Sequence, residues 1–255
     1  MVLMAGQMES RRGIVNLLRA STLLDTEGAI VHFFGTRYGP SYGCLTGDWG
    51  TVKAGDPEYP VVVSVHQVHG TEVLILDHPV RVGDKFAGGW DAIATNQPHV
   101  LLTIRTADCV PVLVAAPRRH LVAAIHAGWR GALHGVVPKT VRRMQEVFGC
   151  PPSEFYVAIG PSAGVCCYEV DTPVIRLIQE TVPQWDHVLR LRQDGQGQLD
   201  LKALVQQHVL DQGVPRSQIE CLPLCTICRP DLFFSYRREG QVHGTMVNGI
   251  MLLAA

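Results

Sequence analysis

Three short segments carry the side chains best suited to making and breaking bonds. His69 stands in His66-Gln67-Val68-His69-Gly70-Thr71-Glu72-Val73, where a Val-rich run meets a glycine. Cys109 stands in Thr106-Ala107-Asp108-Cys109-Val110-Pro111, between two apolar runs. His126 stands in Ile125-His126-Ala127-Gly128-Trp129-Arg130-Gly131, where an apolar run gives way to a helical pattern. Two imidazoles and one thiolate suit zinc, and three protein ligands leave a fourth position open, the catalytic rather than the structural arrangement. Such an ion lowers the pKa of a bound water and supplies hydroxide near neutral pH. The three positions are far apart, so no spacing rule joins them. Taken singly, each histidine reads as a hydrogen-bonded core or surface residue, and Cys109 as a buried thiol. Cys109 as nucleophile with His126 as base gives a metal-free thiol hydrolase. Asp108 is a candidate acid–base group, or a carboxylate that orients a histidine.

Other groups could meet a substrate. Arg37, Arg130, Arg237 and Arg238 could fork onto phosphate oxygens, although each also reads as a surface ion pair. Gln67 is a further candidate for substrate contact. The remaining cysteines read differently. Cys221-x-x-x-Cys225-x-x-Cys228 has the spacing of an iron–sulfur loop, but the chain after it is too short for the barrel such loops open. A zinc knuckle there needs a fourth ligand, which His243 supplies only on paper, so ordinary thiols are the expectation. Cys166 and Cys167 are adjacent, and a disulfide between neighbours is strained, so they read as free thiols.

The bulk of the chain narrows its class. It has 255 residues, a formal net charge of -1 and no long basic run, which gives no footprint for nucleic acid. No stretch is apolar over eighteen residues, so no membrane span is expected. Eight cysteines without a secretion signal point to a reduced, cytoplasmic protein. A chain this long builds its core without metal staples, so a metal serves chemistry. Neither a G-x-G-x-x-G nor a G-x-x-x-x-G-K-[ST] turn occurs.

The elements that must hold these groups are legible as short apolar runs. Strands are predicted over 29–34, 59–68, 71–76, 100–104, 110–115, 121–125, 155–159, 233–236 and 249–253. A helix is predicted over 130–148, its regular part beginning near Pro138, with others over 172–181 and 200–212. Many strands with a few helices give a layered α/β (α+β) domain. Residues 1–27 read as an N-terminal extension and 28–255 as one catalytic domain.

The motifs Gln67-Val-His-Gly-Thr-Glu-Val73, Thr106-Ala-Asp-Cys-Val-Pro-Val-Leu113 and His126-Ala-Gly-Trp-Arg-Gly131 together resemble those of the YfiH family, also called the laccase-domain or polyphenol-oxidase family. Ala158-Ile-Gly-Pro161 with Cys166-Cys-Tyr-Glu-Val170, and Cys225-Thr226 with Phe233-Phe-Ser-Tyr-Arg-Arg-Glu-Gly240, extend the likeness along nearly the whole chain in family order. The resemblance implies mixed β-sheets in a central sandwich flanked by helices, and a zinc site that maps onto His69, Cys109 and His126. It implies phosphorolysis of adenosine, inosine, guanosine and methylthioadenosine, and deamination of adenosine, with purine nucleosides and phosphate as partners. Two blocks depart from the pattern. Pro40 replaces a family glycine and Cys44-Leu45-Thr46-Gly47-Asp48 lacks its asparagine. His243-Gly244-Thr245 stands where the family commonly has T-G-R. A copper-dependent polyphenol oxidase, suggested by one family name, is disfavoured because none of the eleven histidines forms an H-x-H pair. A non-catalytic, metal-stabilised binding module is the other competing class.

Overall fold

The computed structural model describes residues 7–11, 14–24, 29–39, 52–54 and 61–253. The departures at Pro40 and at 44–48 lie outside the described residues. In chain order the strands are β1 (Gln7–Arg11), β2 (Ile14–Arg19), β3 (Ile30–Gly35), β4 (Val52–Ala54), β5 (Val61–Ser64), β6 (Val73–Leu76), β7 (Ala92–Thr95), β8 (Val100–Thr106), β9 (Val110–Ala116), β10 (Leu121–Ala127), β11 (Tyr156–Ile159), β12 (Glu169–Val170), β13 (Leu189–Leu191), β14 (Gly197–Leu199), β15 (Ile219–Cys221) and β16 (Met246–Leu252). The α-helices are α1 (Ser21–Leu24), α2 (Trp129–Leu133), α3 (Val136–Phe148), α4 (Thr172–Thr181), α5 (Leu201–Asp211) and α6 (Tyr236–Glu239).

Strands apolar at every position need a layer on both faces, and the sheets supply it. One sheet runs β1-β2-β3-β16-β8-β5-β4, a second runs β15-β11-β9-β10-β7-β6, and a small third runs β12-β14-β13. Side chains alternate across a strand. In β10, Val122 and Ala124 face the space between the two large sheets, packing with Phe34, Leu102, Ile104 and Leu113. Leu121, Ala123, Ile125 and Ala127 face the other way, onto the helical layer with Val137, Val141 and Met144 of α3. Each fully buried Leu, Ile or Phe in these layers contributes roughly 1.5–3 kcal/mol of transfer free energy. This is the layered α/β sandwich of mixed sheets, flanked by helices, that the resemblance implies.

The helices begin and end where local chemistry dictates. Pro138 lies in the first turn of α3, where its missing N–H removes no helical bond. Gly149, at φ 65°, closes α3 in the left-handed region. The Asp171 and Asp200 side chains cap α4 and α5, accepting from the amides of Val174 and Ala203.

Several features differ from the sequence expectation. Residues 7–11 and 14–19, read as part of an extension, form strands that continue the first sheet through β2 against β3. The strand expected over 233–236 is absent: Ser235 accepts from the Arg238 amide at 3.1 Å and starts α6. The apolar run there marks burial of Phe233, not a pleat. The strand β7 escaped sequence reading because it is Ala-rich, a composition of low strand propensity. No helix among the described residues is long and apolar enough to cross a membrane.

Candidate metal centre

Two chain segments cross from the first large sheet to the second, and each carries a candidate ligand. The segment between β5 and β6 holds His69, and the three-residue turn between β8 and β9 holds Cys109. His126 is the penultimate residue of β10, opposite Pro111 of β9. These connections bring the three together. Cys109 Sγ lies 3.7 Å from His69 Nε2, and one ligand atom from each residue falls within 4.8 Å of the others. Zinc–sulfur and zinc–nitrogen bonds of about 2.3 and 2.0–2.1 Å at a tetrahedral angle separate the donor atoms by roughly 3.6 Å, so the spacing fits one ion.

A residue the sequence reading missed organises the centre. Asp91 is fully buried just before β7. Its carboxylate accepts from the consecutive amides of Val68, His69 and Gly70 at 3.3, 3.0 and 2.6 Å. Those bonds hold His69 at φ 59°, a left-handed backbone unusual outside glycine. The same carboxylate pairs with His126 Nδ1 at 2.7 Å. That contact fixes the imidazole tautomer and leaves Nε2 to a ligand, as carboxylate–histidine–metal chains do. Space is reserved as well. A Cβ on Gly128 would sit 2.6 Å from His69 Cδ2 and 3.2 Å from Cys109 Sγ.

The charges match a ligand set. Burial raises the Cys109 pKa, but the charge and hydrogen bonding of His126, helped by His69, outweigh it and bring the thiol down to about 6. Burial lowers the His126 pKa, but the Cys109 thiolate and Asp91 outweigh it and lift it to about 9. Burial also opposes ionisation of Asp91, and hydrogen bonds from His126 and the amides still hold its pKa below the usual carboxylate value. Without metal the centre is therefore a thiolate–imidazolium pair.

The centre opens onto a cavity of about 890 Å³. Arg37, Gln67, Arg130 and Arg237 all line it, as do His243, Gly244 and Thr245. Arg130 lies over the Trp129 ring, Arg37 over Phe234 and Arg237 over Tyr168, at 4.3, 4.9 and 5.2 Å from the ring centres. Arg105 of β8 adds a cation that the sequence reading did not name. Gln67 grips the backbone of Arg105 with both ends of its amide, at 2.8 Å each.

Two candidates have their polar groups engaged by the protein itself, although Asp108 lines the cavity. The Arg238 guanidinium donates to the carbonyls of Thr226, Ile227 and Phe233 and to Glu239, and does not line the cavity. The Asp108 carboxylate accepts from Thr226 Oγ1 at 2.5 Å, Ser235 Oγ at 3.0 Å and the Arg237 amide at 2.7 Å. Both its oxygens are thus tied to protein donors, and it is Asp91 that orients a histidine. Cys221 sits on β15 and His243 on the cavity wall, so neither completes a knuckle with Cys225 and Cys228.

Residues 52–253 match the family described as multi-copper polyphenol oxidoreductase laccase. The purine nucleoside phosphorylase YlmD of Geobacillus stearothermophilus is 38% identical over 192 residues, covering 72% of this chain and 70% of its own. The purine nucleoside phosphorylase of Bacteroides thetaiotaomicron is 32% identical over 256 residues, covering 90% and 94%. Among solved structures, YlmD from Geobacillus stearothermophilus matches with a TM-score of 0.80 at 31% identity, over 98% of this chain and 99% of the other. The Bacillus licheniformis hypothetical protein YfiH matches with a TM-score of 0.79 at 28% identity, over 95% and 98%.

Proposed function

This chain belongs to the laccase-domain, YfiH-like family, and on that footing we propose that it is a zinc-dependent purine nucleoside phosphorylase acting through His69, Cys109 and His126. The observation that carries the reading is the meeting of those three donors with Asp91 behind His126. The substrate class rests on the relatives named as purine nucleoside phosphorylases. When bound, zinc supplies Lewis acidity through the coordination position that three protein ligands leave open.

The chain's own residues do the rest. Asp91 holds the His126 ring through Nδ1 and leaves Nε2 to a ligand. Arg37, Arg105, Arg130 and Arg237 give a cationic wall for phosphate. Trp129, Tyr168 and Phe234 offer aromatic faces to a purine. Asp108 positions the Arg237 amide and the Cys109 turn rather than moving a proton. Phosphorolysis of adenosine, inosine, guanosine and methylthioadenosine and hydrolytic deamination of adenosine are all within the proposal. Arg105 supplies a cation in the same cavity as Thr245, which takes the place of the family arginine. A ligand thiolate that must stay reduced fits a cytoplasmic setting.

The test is metal analysis of purified protein together with product identification from adenosine, with and without phosphate. Adenine formed only with phosphate is the expected phosphorolysis product, and inosine or hypoxanthine reports deamination. Cys109→Ser and exhaustive chelation are expected to abolish turnover. Activity that survives chelation but is lost to iodoacetamide would replace this reading with the thiol hydrolase. A blue absorption band on copper loading, with phenol oxidation, would replace it with the oxidase.

A further inference from the structure

Away from the centre, four cysteines from two distant segments converge. Cys228 Sγ lies 3.5 Å from Cys166 Sγ and 3.2 Å from Cys167 Sγ. Cys225 completes the group, and all four sulfurs lie within 4.8 Å of one another. We propose that Cys166, Cys167, Cys225 and Cys228 form a second, structural metal site, a mononuclear tetrathiolate centre for zinc.

The spacing suits one ion. Four sulfurs about 2.3 Å from a tetrahedral zinc stand about 3.8 Å from each other, within the range seen here. A polynuclear iron–sulfur cluster spreads its thiolates wider around its core. Disulfides account for the cluster poorly. The closest sulfur pair, at 3.2 Å, is far beyond the bond length of about 2.05 Å. Cys228 is also shared almost equally between two neighbours, and a bond to either leaves the others unexplained. Cys166 and Cys167 together supply the third and fourth ligands that Cys225 and Cys228 lack.

The backbone is arranged for a charged sulfur. The Gly164 amide donates to Cys225 Sγ at 3.2 Å. An amide donor on this sulfur stabilises a ligand thiolate as outer donors do at metal sites. Gly164 leaves the sulfurs room, since a Cβ there would press on Cys225 Cβ at 3.1 Å and Cys166 Sγ at 3.2 Å. The two segments are already in register: Ser162 bridges Cys225, and the Thr226 amide donates to the Ser162 carbonyl at 3.0 Å.

The position gives the ion a task. Tyr168 follows Cys167 and lines the cavity, and Thr226 follows Cys225 and holds Asp108. A metal here clamps the two loops that form the back of the cavity, acting on chemistry through position alone.

The test reads metal rather than activity, so its outcome is separate from the fate of the proposed function. Protein purified without chelator is expected to hold two zinc per chain, and the His69→Ala/Cys109→Ser double variant one. X-ray absorption on that variant should give a sulfur-only shell near about 2.3 Å. Cys225→Ser/Cys228→Ser is expected to lose this zinc and keep the other. If that variant fails to fold, the sulfur-only shell in the first variant still decides. A first variant that binds no metal overturns the proposal. So does native protein whose four thiols alkylate freely, or whose non-reducing mass shows them oxidised to disulfides.

Discussion

Asp91 is the residue on which the metal centre turns, because one buried carboxylate holds both the His69 backbone and the His126 ring. Its removal leaves the ligands present but free to rotate. Asp91→Asn is expected to weaken zinc binding about 10–100-fold, the usual loss for such a partner, as measured by competition with a chromophoric chelator. Titration gives a second check at this scale. In metal-free protein Cys109 ionises near 6 rather than 9, while His126 keeps its proton to about 9. Raising the pH through about 6 should therefore increase alkylation of Cys109 and then leave it level until His126 loses its proton. The two values belong to the pair, so His126→Ala should move the midpoint upward, towards that of an ordinary thiol. The three side chains that converge here are legible in the sequence, as soft donors beside small residues at the ends of apolar runs. Asp91 is not. It lies 22 residues from His69 and 35 from His126, and nothing in Gly88-Gly89-Trp90-Asp91 marks it as buried. Asp108 drew attention through adjacency to Cys109, yet its carboxylate faces Thr226 and Ser235, more than a hundred residues later in the chain.

At the scale of elements, the centre exists because strand ends and crossings are rigid while the connections between them are tight. The β8–β9 turn spans only Ala107, Asp108 and Cys109, with Asp108 at φ 89°. The end of β10 passes straight into Gly128, which caps α2 and whose missing Cβ leaves room for His69 and Cys109. A methyl group at Gly128 would occupy space belonging to the His69 ring. Gly128→Ala is expected to lose most bound zinc and at least about 100-fold of nucleoside turnover, a loss ordinary for misplacement of about 1 Å in a reacting site. Circular dichroism should stay native, because the strand and helix on either side keep their own bonds. Long apolar strands and capped helices were readable from sequence. The runs at 110–115 and 121–125 matched strands, and Asp200 capped its helix. Strand β7 and the small third sheet were not, since Ala-rich or very short segments acquire their geometry from neighbours. The run at 233–236 failed for a related reason: burial alone gives no period, and the Ser235 hydroxyl settled the matter in favour of a helical turn.

For the molecule as a whole, the three donors sit where the two large sheets exchange chain, so an ion bound there would also hold the sheets in register. The ligands lie far apart in sequence, and an unfolded chain has no preformed site, so binding free energy adds to folding free energy. A ligand that binds only the native state at 100 times its Kd stabilises it by about 2.7 kcal/mol. For a chain of this size each kcal/mol moves the melting temperature by roughly 2–4 °C. Zinc at that excess, added to metal-free protein, should therefore raise Tm by roughly 5–10 °C through this site. His69→Ala isolates that share, because it removes one ligand at the sheet crossing and leaves the two cores untouched. Calorimetry of both proteins across a zinc titration makes the check. A wild-type shift that His69→Ala retains in full would mean that the ion acts elsewhere, and that the junction of the sheets is stable without it.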